Sequence, residues 1–99
     1  MKKTDTKIRH ITPSGGNVFS DLGHSQEDAN KLKLKSQLMM GIRQWIKENN
    51  MKQEEAAEIL RVSRPRISNL MTGKIDKFTI DALVDMVERT GHHVILEVA

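Results

Sequence analysis

The sequence predicts a mainly all-α domain, a bundle of four to five helices followed by one C-terminal β-strand. Three observations lead there. Apolar residues recur at spacings of three and four through most of the chain, Ser, Thr and Gly fall where helices so spaced begin and end, and the period drops to two only in the tail. At 99 residues there is length for one core and not two. The absence of cysteine excludes a disulfide scaffold, a Cys-ligated zinc module, an iron–sulfur cluster and a thiol nucleophile.

Residues 1–16 hold few apolar side chains and carry Pro13, Gly15 and Gly16 among charges, so they read as a flexible basic arm. Residues 17–28 read as an ordered strap, because Val18, Phe19 and Leu22 lie close enough together to dock on a neighbouring helix. Ser25 is placed to cap the first long helix, with Glu27 and Asp28 in a first turn where acids favour the helix dipole. The main domain is assigned to 29–91. From Ala29 to Asn49 the stripe Leu34, Leu38, Ile42, Trp45, Ile46 is helical, and Trp45 on that stripe reads as core and not as a base-stacking platform. Gln53 to Leu60 groups Ala56, Ala57, Ile59 and Leu60 against Glu54, Glu55 and Glu58. Arg64 to Met71 carries Ile67, Leu70 and Met71, with Ser63 as cap, Pro65 in the first turn and Gly73 as stop. Thr79 to Thr90 presents Ile80, Leu83, Val84 and Val87 and stops at Gly91. In 92–99 the residues Val94, Leu96 and Val98 alternate as in a strand. A lone strand needs a partner, so Val94, Ile95, Leu96 and Val98 are expected to pair across a homodimer, with the segment around Val18 and Phe19 as the other candidate.

Three residues, Arg61-Val62-Ser63, separate the second helix from the third. So short a link forces a steep crossing, which is a helix-turn-helix unit. Its charge is local. From Arg61 to Lys77 five cations face the single acid Asp76, a net of +4, while the chain totals +3, so the other 82 residues sum to −1. A basic, hydrogen-bonding helix beside an acidic one suits docking in the DNA major groove.

No enzyme chemistry is expected: no catalytic residue, no metal site and no cofactor. His92 and His93 adjoin a helix-to-strand junction and point apart, His10 and His24 lie in the arm and strap, and no HExxH spacing occurs. Gly15-Gly16 lacks the helix and Lys-Ser/Thr of a phosphate loop. No apolar run reaches the roughly 18 residues of a membrane span, and Met1-Lys2-Lys3 leads into polar residues, so a cytoplasmic location without membrane contact is expected.

Gln53-Glu54-Glu55-Ala56-Ala57, continued by Val62-Ser63-Arg64-Pro65-Arg66-Ile67-Ser68-Asn69-Leu70-Met71-Thr72-Gly73-Lys74, resembles the Xre/Cro type of helix-turn-helix, with its lambda-repressor-like bundle. Asn17 to Gly23 before a long helix, and Phe78-Thr79-Ile80-Asp81-Ala82-Leu83 followed by Gly91-His92-His93-Val94, resemble the HigA-like antitoxins. The resemblance spans about residues 16 to 98. It implies a dimer on an inverted-repeat operator of double-stranded DNA, repression of its own operon, and neutralisation of a RelE/HigB-like toxin. It also implies that Gln53 grips a phosphate and that Arg64, Pro65, Arg66, Ser68 and Asn69 face the groove. Lys74 and Lys77 are expected to anchor phosphates. Arg64 stands where the family often has Gln, which shifts base preference from adenine towards guanine if the contact is direct. Arg61 replaces a frequent turn Gly, so a left-handed backbone there carries a cost. Two other functions share these features: a stand-alone phage-like repressor, and a protein-binding adaptor with incidental DNA affinity. The arm, with Lys2, Lys3, Lys7 and Arg9, suits a partner contact or the minor groove.

Overall fold

Each helix begins on a side-chain or backbone device that the sequence supplies. A computed structural model describes residues 25–98; the expected arm, strap residues 17–24 and Ala99 lie outside the described residues. Helix α1 spans Gln26–Glu48, and Ser25 Oγ accepts the Asp28 N–H at 3.1 Å. It ends at Asn49, whose side-chain amide donates to the Trp45 carbonyl at 2.8 Å, and Asn50 turns the chain at φ 51°. Helix α2 spans Gln53–Leu60, and the Glu55 carboxylate accepts the Lys52 N–H at 2.9 Å. Helix α3 spans Arg64–Met71. A single 3-10 turn, Ile75–Lys77, leads to α4, Ile80–Arg89, where Thr79 Oγ1 accepts the Ala82 N–H at 3.1 Å.

The stripes read from the sequence meet in one core. Helix α1 packs chiefly along α4, and α2 packs on α3. Leu38, Ile42, Leu60, Ile67, Leu70, Leu83 and Met86 are fully buried between them. Trp45 lies half-buried against this core, as its place on the stripe predicts. Ile59 does not join it and stands 44% exposed. At about 100° per residue it lies on the flank of α2, well away from the direction that Ala56, Ala57 and Leu60 share. The core also takes in Met39, Phe78 and Met86, which the periodicity passed over.

The turn between α2 and α3 is held from both ends. Arg61 adopts the left-handed conformation expected of it, φ 59° and ψ 44°, and Arg89 on α4 donates from Nη1 to the Leu60 carbonyl at 3.0 Å. That guanidinium caps the negative end of α2. A left-handed non-glycine residue costs about 1–2 kcal/mol, part of which glycine would give back in unfolded-state entropy. Arg61→Gly is therefore expected to stabilise the fold by up to about 1 kcal/mol in urea unfolding. A loss of stability would show that the Arg61 side chain makes a contribution larger than its backbone strain.

The C-terminal strand differs from its expectation. Among the described residues none is in a β-strand, and Glu97 alone sits in a β-bridge. A strand exists through a ladder of hydrogen bonds to a neighbour, and the described helices α1 to α4 present no sheet edge. Of the residues assigned to dimer pairing, Val94 packs partly buried against the core, while Ile95, Leu96 and Val98 are exposed. His92 and His93 take different partners at the end of α4: His92 Nδ1 lies 3.1 Å from Thr90 Oγ1, and His93 Nδ1 lies 3.0 Å from Glu88 Oε1. Among the described residues, no helix is long and apolar enough to cross a membrane.

Candidate nucleic-acid interface

The surface of α3 follows from its two buried residues. Ile67 and Leu70 face the core, so the opposite side, centred on Pro65, Ser68 and Asn69, turns outward. Pro65 and Ser68 are exposed and Asn69 is half-buried. Arg64 and Arg66 occupy the two flanks, and each meets a neighbour on its own side. Arg64 leans towards α2, where its Nη1 lies 3.3 Å from Glu54 Oε2. Arg66 leans the other way, donating from Nη1 to the Lys77 carbonyl at 2.7 Å. Its guanidinium carbon sits 5.3 Å from the centroid of the Phe78 ring, a cation–π distance.

The helix is firmly presented. Ser63 Oγ accepts the Arg66 N–H at 3.2 Å, and Pro65 fills a first-turn position that needs no amide donor. At the other end Gly73, at φ 75°, releases the chain into Lys74 and the 3-10 turn bearing Lys77, both exposed. Gln53 opens α2 and is exposed. No residue of α3 itself is acidic. The Glu54–Arg64 pair is the one ion pair with an acid at this surface among the described residues, with side chains 62% and 65% exposed. A pair so open to water contributes about 0–1 kcal/mol, so Arg64 can exchange Glu54 for a phosphate at little cost.

One cation at this surface was not singled out from the sequence. Arg43 on α1 brings its Nη1 to 3.5 Å from where a Cβ on Gly73 would lie, beside the end of α3. The polar side of α1 shows Arg43 as a charge, but only the packing of α1 behind α3 shows what it stands next to.

Two short helices, a three-residue turn around a left-handed residue, and a second helix with an outward polar face form one geometric unit. A family model for the helix-turn-helix domain matches residues 18–99. The chain belongs to the helix-turn-helix domain family. No curated protein matches it. In a helix-turn-helix protein the second helix is the one that enters the major groove, and here that helix is α3. The family thus indicates sequence-specific DNA binding. The outward face of α3 carries Pro65, Ser68 and Asn69, and Gln53, Lys74 and Lys77 on the neighbouring segments are exposed.

Proposed function

We propose that the protein is a non-catalytic antitoxin that binds an inverted-repeat operator as a homodimer, represses its own operon and neutralises a RelE/HigB-like toxin in the cytoplasm. The DNA part of the reading rests on one observation above all. The outward face of α3 carries no acid, and cations stand on both of its flanks, on a helix anchored by two fully buried residues. In this reading Ser68 and Asn69 meet base edges, Arg64 leaves Glu54 for a base or phosphate, and Gln53, Lys74 and Lys77 bind phosphates. The toxin part rests on the resemblance of the segment before α1, and of Phe78 to Leu83 with Gly91 to Val94, to the HigA-like antitoxins.

The dimer is supported by the tail. Ile95, Leu96 and Val98 expose apolar side chains at 42%, 52% and 93%, more than a short polar surface needs. Pairing of these segments between two chains would supply a ladder beyond the single bridge at Glu97 that the described residues show. Truncation after His93 is expected to leave the helical core folded and to turn a dimer into a monomer in sedimentation. Losing the second half-site contact would then weaken operator binding by about 10²–10⁴-fold. A full-length chain that sediments as a monomer at micromolar concentration contradicts the dimer.

The antitoxin role is tested by co-expression with the product of the adjacent gene. Co-purification of the two, with the complex still shifting operator DNA, supports it. A chain that purifies alone and still shifts the operator favours the stand-alone repressor.

A further inference from the structure

Lys74 and Lys77 are exposed cations beside α3, and they are held there differently. Lys74 is tied to α3 directly, its N–H donating to the Asn69 carbonyl at 3.0 Å. Lys77 lies at the far end of the 3-10 turn, whose own hydrogen bonds are local: its N–H donates to the Lys74 carbonyl at 3.1 Å, and the Phe78 N–H to the Ile75 carbonyl at 3.3 Å. Those bonds shape the turn and Ile75 rests against the core, while the bond that ties the Lys77 end back to α3 comes from Arg66. Its bond to the Lys77 carbonyl is short and charge-assisted, and its guanidinium lies over a ring that is itself 2% exposed and set in the core. One side chain of α3 thus grips the backbone of the turn from one side and the core from the other.

We infer that Arg66 is a positioning residue, a brace that holds Lys77 level with the outward face of α3 so that it reaches the DNA backbone. The inference rests on the reading of α3 as the groove-binding helix. It assigns Arg66 a task different from direct base contact. A bidentate contact with guanine uses the planar fork of an arginine, and here one arm of that fork is already committed to Lys77. A lysine at the same place keeps the charge but has no fork and stacks less well, so charge and brace are separable.

The test uses the full chain and a short mixed-sequence DNA duplex, because phosphate contacts are indifferent to sequence. Affinity is followed across a salt series for the native protein, R66M, R66K, K77A and the combination of R66M with K77A. Each phosphate contact contributes about 0.9 to the slope of log affinity against log salt. A brace predicts that R66M and R66K both lower the slope by about one, as K77A does. It also predicts that adding K77A to R66M changes affinity by less than about twofold. Phe78→Leu, which keeps an apolar side chain in the core and removes the ring, is expected to lower the slope in the same direction, with thermal unfolding confirming that it folds. A native slope in R66K, or losses from R66M and K77A that simply add, would overturn the brace and make Arg66 an independent phosphate contact. A native protein whose affinity ignores salt would instead sink the DNA-binding reading, and the brace with it.

Discussion

Ile67→Ala is expected to cost about 2–5 kcal/mol of folding stability. Ile67 is fully buried, as is Leu70 one turn on, and these two are the buried residues that hold α3 to the rest of the molecule. Removing three carbons leaves a cavity between α3 and its neighbours, which eight helical residues of mixed polarity cannot close without tilting. A domain of this size has about 5–15 kcal/mol in total, so the loss is a large share of it. DNA affinity should fall in parallel, because the outward face of α3 has a fixed direction only while Ile67 is seated. Urea unfolding reads the first effect and duplex binding the second. A loss under about 1 kcal/mol would mean that α3 is held by something other than its buried side.

Ser68→Asp is expected to do the reverse, abolishing DNA binding while leaving the fold nearly intact. Ser68 is exposed at the middle of the outward face, one turn after Arg64. Its backbone carbonyl accepts from Thr72, but no bond of its side chain supports the helix among the described residues. A carboxylate there meets the phosphates and base edges of the groove with like charge, which costs several kcal/mol in addition to any lost contact. Affinity is expected to fall by more than about 100-fold, with stability changed by about 0.5 kcal/mol or less. Unchanged binding would remove α3 from the interface. Together, the two substitutions separate the roles of one helix, since Ile67→Ala lowers stability and binding together while Ser68→Asp lowers binding alone.

Much of the fold was legible because its signals are local. Ser25, Ser63 and Thr79 cap within three residues of themselves, Gly73 and Gly91 take positive φ where helices stop, and Arg61 is left-handed at the place where the resembled family often has a turn Gly. What escaped depends on distance along the chain or on pliant side chains. Met39 and Met86 are unbranched and fill gaps that a strict spacing of Leu and Ile does not mark. The Arg89 bond to Leu60 spans 29 residues. The tail alternates like a strand, but alternation reports which side chains share a face and not whether a ladder partner exists.

The candidate site was legible in its composition and less so in its connections. The charge between Arg61 and Lys77 falls on and around the second helix of the helix-turn-helix. It does not show that Arg64 rests against Glu54, or that Arg66 is turned towards Lys77 and Phe78, because charge in a sequence carries no direction. Of eight residues named for DNA contact, the structure sets Pro65, Ser68 and Asn69 outward and Arg64 and Arg66 on the flanks, and leaves Gln53, Lys74 and Lys77 exposed on neighbouring segments. Arg43 adds a cation beside the end of α3 through its place near Gly73.

The central claim is that α3 reads DNA sequence, and selection from a pool of randomised duplexes tests it most directly. Native protein is expected to enrich an inverted repeat with half-sites about one helical turn, some 34–36 Å, apart, and Ser68→Asp to enrich nothing under the same conditions. A native protein that enriches no common sequence, or a Ser68→Asp variant that enriches the same one, would contradict it.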